Sequence, residues 1–252
     1  MIRFLISSIL ILNIFDFLLI KNAIGRENNL LVQQNFQGNR GAIDANRFES
    51  LSGVKVSSTT VAVEEDWDQK FNTKRYIYGK VPSKFLAENF FHLPAGGKIL
   101  DVGMSEGRNS VFLAQKGFNV TGIDISAVAV EKARKLANEY GVRISTVVKS
   151  VKEYTVSKSE LYDGIICLYF VDRNILNLLE KWLKPGGILI FGSYTTNQLN
   201  VSDFDGRNHK KEYFLRPQEL LKLFPTMIVV KYEEPLNDKS KFEAHIILQK
   251  KK

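Results

Sequence analysis

Residues 101–110 read Asp-Val-Gly-Met-Ser-Glu-Gly-Arg-Asn-Ser, between the apolar run Lys98-Ile99-Leu100 and the amphipathic run Val111-Phe112-Leu113-Ala114. A strand, a glycine-bearing turn and a helix in that order form the crossing of a doubly wound sheet where backbone approaches a phosphate or nucleotide, because glycine puts no Cβ in the way. The spacing of the small residues bears on the ligand. A dinucleotide fingerprint asks for glycine at 103, 105 and 108, whereas the chain has Gly103, Ser105 and Gly107, with Arg108 at the third place. A second apolar run, Asn119–Asp124, ends in a carboxylate about 20 residues beyond the turn, where this architecture presents an acid to the hydroxyls of a ribose. One carboxylate accepts both hydrogen bonds at once.

Such residues need a sheet to hold them. Strand-like runs at 98–102, 119–124, 143–148, 162–168 and 187–191 alternate with stretches of helical periodicity, the pattern of a parallel sheet covered on both faces. Ser126 stands as the N-cap of a helix whose apolar positions Val130, Ala133, Ala137 and Tyr140 recur at helical spacing until Gly141 stops it. Residues 172–183 carry Ile175, Leu176, Leu179, Trp182 and Leu183 on one face, and Lys184-Pro185-Gly186-Gly187 then turns the chain into the next strand. The last two runs, 226–233 and 242–249, leave no room between them for a helix, so a hairpin joins them. The expected fold is α/β, doubly wound and Rossmann-like: a mostly parallel seven-stranded sheet ending in a C-terminal antiparallel hairpin.

The chain has 252 residues, 44% of them hydrophobic, which suits one large domain with an extension. Its net charge of +8 comes from dispersed lysines and arginines, and the interleaved aromatics and arginines of a nucleic-acid surface are missing, so no nucleic-acid partner is expected. The N-terminus starts with Arg3, runs apolar from Phe4 to Ile20 apart from Asn13 and Asp16, and ends with Ala23 and Gly25 at the positions a signal peptidase reads. This divides the chain into a signal peptide or membrane anchor at 1–25, a polar linker at 26–60 and the folded domain at 61–252. A membrane-associated or exported (periplasmic or secreted) protein is expected, an anchor with its domain facing the cytosol being the other orientation. The lone Cys167 lies within an apolar run and is expected to be an inert core thiol.

The domain from about Trp67 to Lys250 resembles the class I S-adenosylmethionine-dependent methyltransferases. That family's motif, an acid followed by glycines at alternate positions, is read here as Asp101, Gly103, Ser105 and Gly107, and the Leu183-Lys184-Pro185-Gly186-Gly187 turn and closing hairpin agree with it. More narrowly the domain resembles the bacterial tellurite-resistance-type branch, through Trp67-Asp68, Tyr76-Ile77-Tyr78-Gly79, Pro82-Ser83, Glu106-Gly107-Arg108-Asn109, Tyr194-Thr195 and Gln198-Leu199. It departs from that pattern at Ser105, at Ser150 where the family commonly has Asp, and at Gly192 where the branch often has Glu.

The resemblance implies S-adenosyl-L-methionine as cofactor, a small-molecule acceptor (a thiol, a chalcogen oxyanion or a small metabolite) and no metal. It places Asp101, Gly103, Ser105 and Gly107 around the methionine part, Asp124 at the ribose, Ser150 and Val151 at the adenine, and Leu168 among the cofactor-binding residues at the carboxyl edge of the fourth strand. Tyr76 and Tyr78 become lid residues, and Tyr169 and Phe170 aromatic walls at the carboxyl edge of the fourth strand. Methyl transfer is an in-line displacement, so alignment supplies most of what is needed and no nucleophile is expected. Tyr194 and His209, in the polar stretch 193–213, are the candidate catalytic residues. The alternative is a catalytically silent cofactor-binding domain, exported or membrane-attached, suggested by the three departures. A nucleotide-dependent oxidoreductase is disfavoured by glycine at 107 rather than 108.

Overall fold

Apolar runs bounded by turn formers build the strands of this computed structural model, which describes residues 66–202, 204, 210–235 and 241–252. Seven strands follow in chain order: β1 Lys98–Val102, β2 Asn119–Asp124, β3 Ser145–Val148, β4 Tyr162–Leu168, β5 Leu183–Tyr194, β6 Ile228–Glu233 and β7 Glu243–Gln249. They form one sheet in the order β3-β2-β1-β4-β5-β7-β6. The pairings from β3 to β5 are parallel, and β7 runs antiparallel between β5 and β6. The order reverses between β1 and β4, so the crevice at their carboxyl ends is where a ligand of such a sheet collects.

Among the described residues six α-helices accompany the strands: α1 Trp67–Phe71, α2 Lys84–Asn89, α3 Arg108–Gln115, α4 Ala127–Glu139, α5 Leu176–Trp182 and α6 Leu220–Leu223. Successive residues of β1 face opposite cores, as strand geometry dictates. Ile99 joins Phe85, Leu86, Leu113, Ile190 and Ile247 on one side, and Leu100 joins Leu179, Trp182, Leu189 and Ile246 on the other. Ser126 caps α4 by accepting the Ala129 amide at 3.1 Å. The turn at residues 184–187 lies inside β5 rather than before it: α5 stops at Trp182, Leu183 already pairs with Tyr162, and the register shifts before Gly164 meets Ile188. Pro185 bars further helix, and the irregularity absorbs the turn within the strand.

The expected membrane-associated or exported state does not hold. Among the described residues no helix is long and apolar enough to cross a membrane, and residues 1–65, with the apolar run, linker and domain start read there, lie outside them. Against a spanning anchor the sequence itself weighs: the run from Phe4 to Ile20 is shorter than the roughly 20 residues a spanning helix needs, and it carries Asp16.

Candidate active site

The glycine turn between β1 and α3 is built from left-handed residues. Gly103, Ser105 and Gly107 have φ of 67°, 54° and 84°, conformations cheap for glycine and costly for serine. The amides of Gly103 and Met104 both donate to Ile123 O at 3.0 Å, and the Ser105 amide donates to Asp124 Oδ2 at 2.8 Å. The turn is therefore sewn to the end of β2. Each glycine has its own steric reason. A Cβ on Gly103 would lie 2.8 Å from Phe170 Cγ, and one on Gly107 would lie 2.6 Å from Ala133 Cβ of α4. Gly107 thus permits two helices to pack closely.

Two carboxylates lie beneath the turn. Asp124, only 8% exposed, accepts the Ser126 amide on Oδ1 at 2.9 Å and the Ser105 amide on Oδ2. Burial outweighs these bonds and raises its pKa. Asp101 accepts the Ser110 hydroxyl at 2.6 Å, and burial lifts its pKa to about 7, with Asp124 adding to the rise. Each bonded oxygen keeps a lone pair, so the pair can take hydroxyl donors or lie beside a cation. The Ser105 hydroxyl is buried without a hydrogen-bond partner. An orphaned polar group of this kind costs about 1–3 kcal/mol until something satisfies it, and a ligand with a carboxylate or ammonium end would fit.

The segment 66–79 is strapped across this region. Asp68 accepts the Ser126 hydroxyl at 2.5 Å and the Val128 amide at 3.2 Å, bonds that hold its pKa low. Lys132 of α4 pairs with the buried Glu106 and donates to Phe71 O at 3.1 Å, Arg75 O at 2.8 Å and Thr73 Oγ1 at 3.3 Å. Tyr76 donates its hydroxyl to Lys132 O at 3.0 Å, and its ring packs beside Val111, Leu136 and Ala137. Tyr78 is 44% exposed and reaches the turn through its backbone: its amide donates to Glu106 Oε2 at 3.4 Å, and its carbonyl accepts from Arg108 Nη1 at 3.0 Å.

Beyond the turn, the ends of β4, β5 and β7 gather aromatic rings. Leu168 is buried, and Tyr169 turns left-handed at φ 61° with its amide donating to Gly192 O at 2.8 Å. Strained backbone of this kind in a non-glycine residue clusters at functional sites. The Tyr169 ring lies 5.4 Å under the Arg108 guanidinium and 5.3 Å from the Tyr194 ring, which itself stands 5.1 Å from Phe204. Burial raises both tyrosine pKa values, and Glu243 adds to each. Phe170 covers Gly103.

The Lys149 amide donates to the backbone carbonyl of Asp124 at 2.9 Å, which ties the residue before Ser150 to the end of β2, whereas the Val151 side chain joins the core with Leu100 and Val102. His209 lies outside the described residues. A Cβ on Gly192 would overlap the His245 ring, so a Glu there is incompatible with this histidine. Cys167 is fully buried and its thiol pKa is pushed up by burial. Sequence reasoning missed Lys132, Glu243 and His245. Asp68, Glu106 and Arg108 stood within recognised motifs, but nothing marked them as the straps between the turn and its cover. A hollow of about 400 Å³ is lined by Phe71 of α1 and by Val128, Glu131 and Lys132 of α4.

A known methyltransferase-domain family matches residues 99–187, the span from β1 into β5 that contains the turn, both carboxylates and Tyr169. Residues 99–187 thus match a methyltransferase domain, within a sheet of the class I S-adenosylmethionine-dependent type. S-adenosylmethionine is the methyl donor of this family. The ubiquinone biosynthesis O-methyltransferase of Cronobacter sakazakii is 30% identical over 142 residues, which cover 50% of this chain and 58% of that protein. The chain therefore spans little more than half the length of that curated relative. Among solved structures, TehB from Haemophilus influenzae superposes with a TM-score of 0.54 at 17% identity, over 73% of this chain and 66% of that one. A methyltransferase from Methanosarcina mazei does so at 0.52 and 22% identity, over 64% and 96%. At these identities the two structures speak for the methyltransferase fold.

Proposed function

We propose that the chain transfers the methyl group of S-adenosylmethionine to a small-molecule acceptor. The observation that carries this reading is the buried, unpartnered Ser105 hydroxyl in a turn sewn to Asp124 at the switch point of the sheet. When bound, the donor supplies an electrophilic methyl group on a sulfonium. In this reading the turn residues Asp101, Gly103, Ser105 and Gly107 hold its methionine end, Asp124 accepts from the ribose, Ser150 and Val151 border the adenine, and Leu168 lines the donor site from the end of β4. The buried carboxylates favour the cationic donor over its neutral product, and the faces of Tyr169 and Phe170 add an attraction of about 0.5–2 kcal/mol. The segment carrying Tyr76 and Tyr78 excludes water, the folded unit being residues 61–252. Tyr194, neutral at pH 7, orients the acceptor.

An O-methyltransferase among the relatives makes a hydroxyl acceptor a natural reading. Nothing in the comparisons favours a silent binding domain. Isothermal titration of the full chain with S-adenosylhomocysteine and with NAD tests the proposal. Binding of the first and not the second is expected, and the reverse would return the chain to the oxidoreductases.

A further inference from the structure

The closing hairpin brings a second polar cluster to the strand ends, and neither the motifs nor the family match, which stops at residue 187, includes it. Glu243 and His245 share one face of β7 and stand in register with Tyr194 and Gly192 of β5. His245 is 4% exposed, and Phe85 of α2 stacks on its ring at 4.3 Å. Its Nε2 is buried without a hydrogen-bond partner, 3.5 Å from Glu243 Oε2. The other oxygen, Glu243 Oε1, accepts the Tyr169 hydroxyl at 3.3 Å. Around the pair stand Arg108 from α3, Tyr169, Tyr194, and Lys231 and Glu233 from β6. Burial keeps the imidazole neutral, at about 4, with Lys231 assisting and Glu233 opposing.

We propose that Glu243 receives the proton of a neutral hydroxyl acceptor and that His245 positions it. This rests on the methyl-transfer reading and narrows its acceptor. Ionised Glu243 accepts from Tyr169, and once protonated on Oε2 it donates to His245 Nε2 in the tautomer that leaves this nitrogen bare. The orphaned nitrogen thus finds its partner in the state that follows proton uptake. In the transfer, the acceptor O–H bond breaks toward the carboxylate and the oxygen lone pair forms the bond to the methyl carbon. The carbon–sulfur pair stays on sulfur as a neutral thioether, and Glu243 then loses its proton to solvent. The same carboxylate disfavours a thiolate or oxyanion: its charge already helps hold the Tyr169 and Tyr194 hydroxyls protonated. The rings of Tyr169, Tyr194 and Phe204 suit a flat aromatic hydroxyl compound.

Catechol and selenite serve as probes, titrated into the full chain loaded with S-adenosylhomocysteine. Catechol is expected to bind and selenite is not. Glu243→Gln is expected to weaken catechol tenfold or more while the S-adenosylhomocysteine Kd stays within twofold, with Glu243→Asp retaining part of the affinity and keeping the test open if the Gln variant fails to fold. In turnover with catechol, His245→Phe, which preserves the stack on Phe85, is expected to lower kcat about tenfold with KM unchanged. Selenite binding, absence of catechol binding, or a Glu243→Gln variant that binds catechol like the parent each overturns the inference and leaves the donor reading standing. Failure of the parent to bind S-adenosylhomocysteine removes the donor reading and this one with it.

Discussion

The two ends of the proposed site are built on different principles. At the donor end, Asp101 to Gly107 follow one another along the chain, and a single register, Val102 opposite Ile123, brings Asp124 beneath them. At the acceptor end, Tyr194, Glu243 and His245 come from β5 and β7 and Tyr169 from just past β4, and Glu243 lies 74 residues from the hydroxyl it accepts. A contiguous turn is constrained by backbone conformation, so its chemistry is visible as a pattern of small residues. An assembled cluster is constrained only by strand register, and any polar residue on the right face of β7 leaves the same local trace.

The sharpest test of the donor end is Gly107→Val. A β-branched residue there meets φ of 84° and places Cβ 2.6 Å from Ala133. Backbone strain of about 1–3 kcal/mol adds to overpacking of about 1–3 kcal/mol. A loss of several kcal/mol in urea denaturation is expected, partly recovered by Ala133→Gly, which opens the helix contact. Equal loss with and without Ala133→Gly would mean that strain alone dictates the glycine.

Electrostatics give the next largest effect. Asp101 binds its proton more readily folded, at about 7, than unfolded, near 3.8. Between those values the native state holds more protons, so stability falls as pH rises through the window, by roughly 1.4 kcal/mol for each pH unit crossed. Asp101→Asn still accepts the Ser110 hydroxyl and removes the titration. Its denaturation midpoint is expected to change less between pH 4 and 8 than the parent's and to exceed it at pH 8. A parent that gains on Asp101→Asn in stability as pH rises over that range would place Asp101's folded pKa below its unfolded one, the comparison cancelling groups of opposite sign such as His245.

How far the sequence speaks follows the same division. The doubly wound order, the Ser126 cap, the acid at 124 and the hairpin are all legible, because each has a local signature of period, cap or turn. What eluded it is relational. Gly107 reads as ligand clearance in the sequence, and the structure adds helix clearance, since only the packed structure puts Ala133 opposite it. Tyr76 reads as a lid residue, and its hydroxyl is engaged by a carbonyl of α4. Gly192 reads as a missing Glu, and its place is taken by His245 from a strand 53 positions on, a substitution across β5 and β7 that no single stretch of chain reveals.

Asp124 lies where the legible part meets the proposed donor. Asp124→Asn keeps much of the shape but sets an amide against one of the two backbone N–H groups it accepts from. Loss of a charge-assisted bond is worth about 1.5–3 kcal/mol, so S-adenosylhomocysteine affinity is expected to fall tenfold or more, by titration on a variant with a parental circular dichroism spectrum. Unchanged affinity would remove Asp124 from the binding site and with it the strongest local sign of a ribose.

The smallest effect separates the two ends most finely, because it concerns one hydroxyl. Ser105→Ala removes the unpartnered Oγ and keeps the Cβ, whereas Ser105→Gly also relieves φ of 54°. Without ligand both are expected to be at least as stable as the parent, Gly more than Ala, since a buried orphan disappears in each and strain only in the second. With S-adenosylhomocysteine bound, the parent hydroxyl gains a partner worth about 0.5–1.5 kcal/mol. Both variants should then bind it a few-fold more weakly and show a smaller ligand-induced rise in melting temperature. If Ser105→Gly instead binds more tightly than Ser105→Ala and the parent alike, the hydroxyl contributes nothing to the ligand. The departure at 105 would then be a strained remnant, and the donor end would rest on the backbone amides and Asp124 alone.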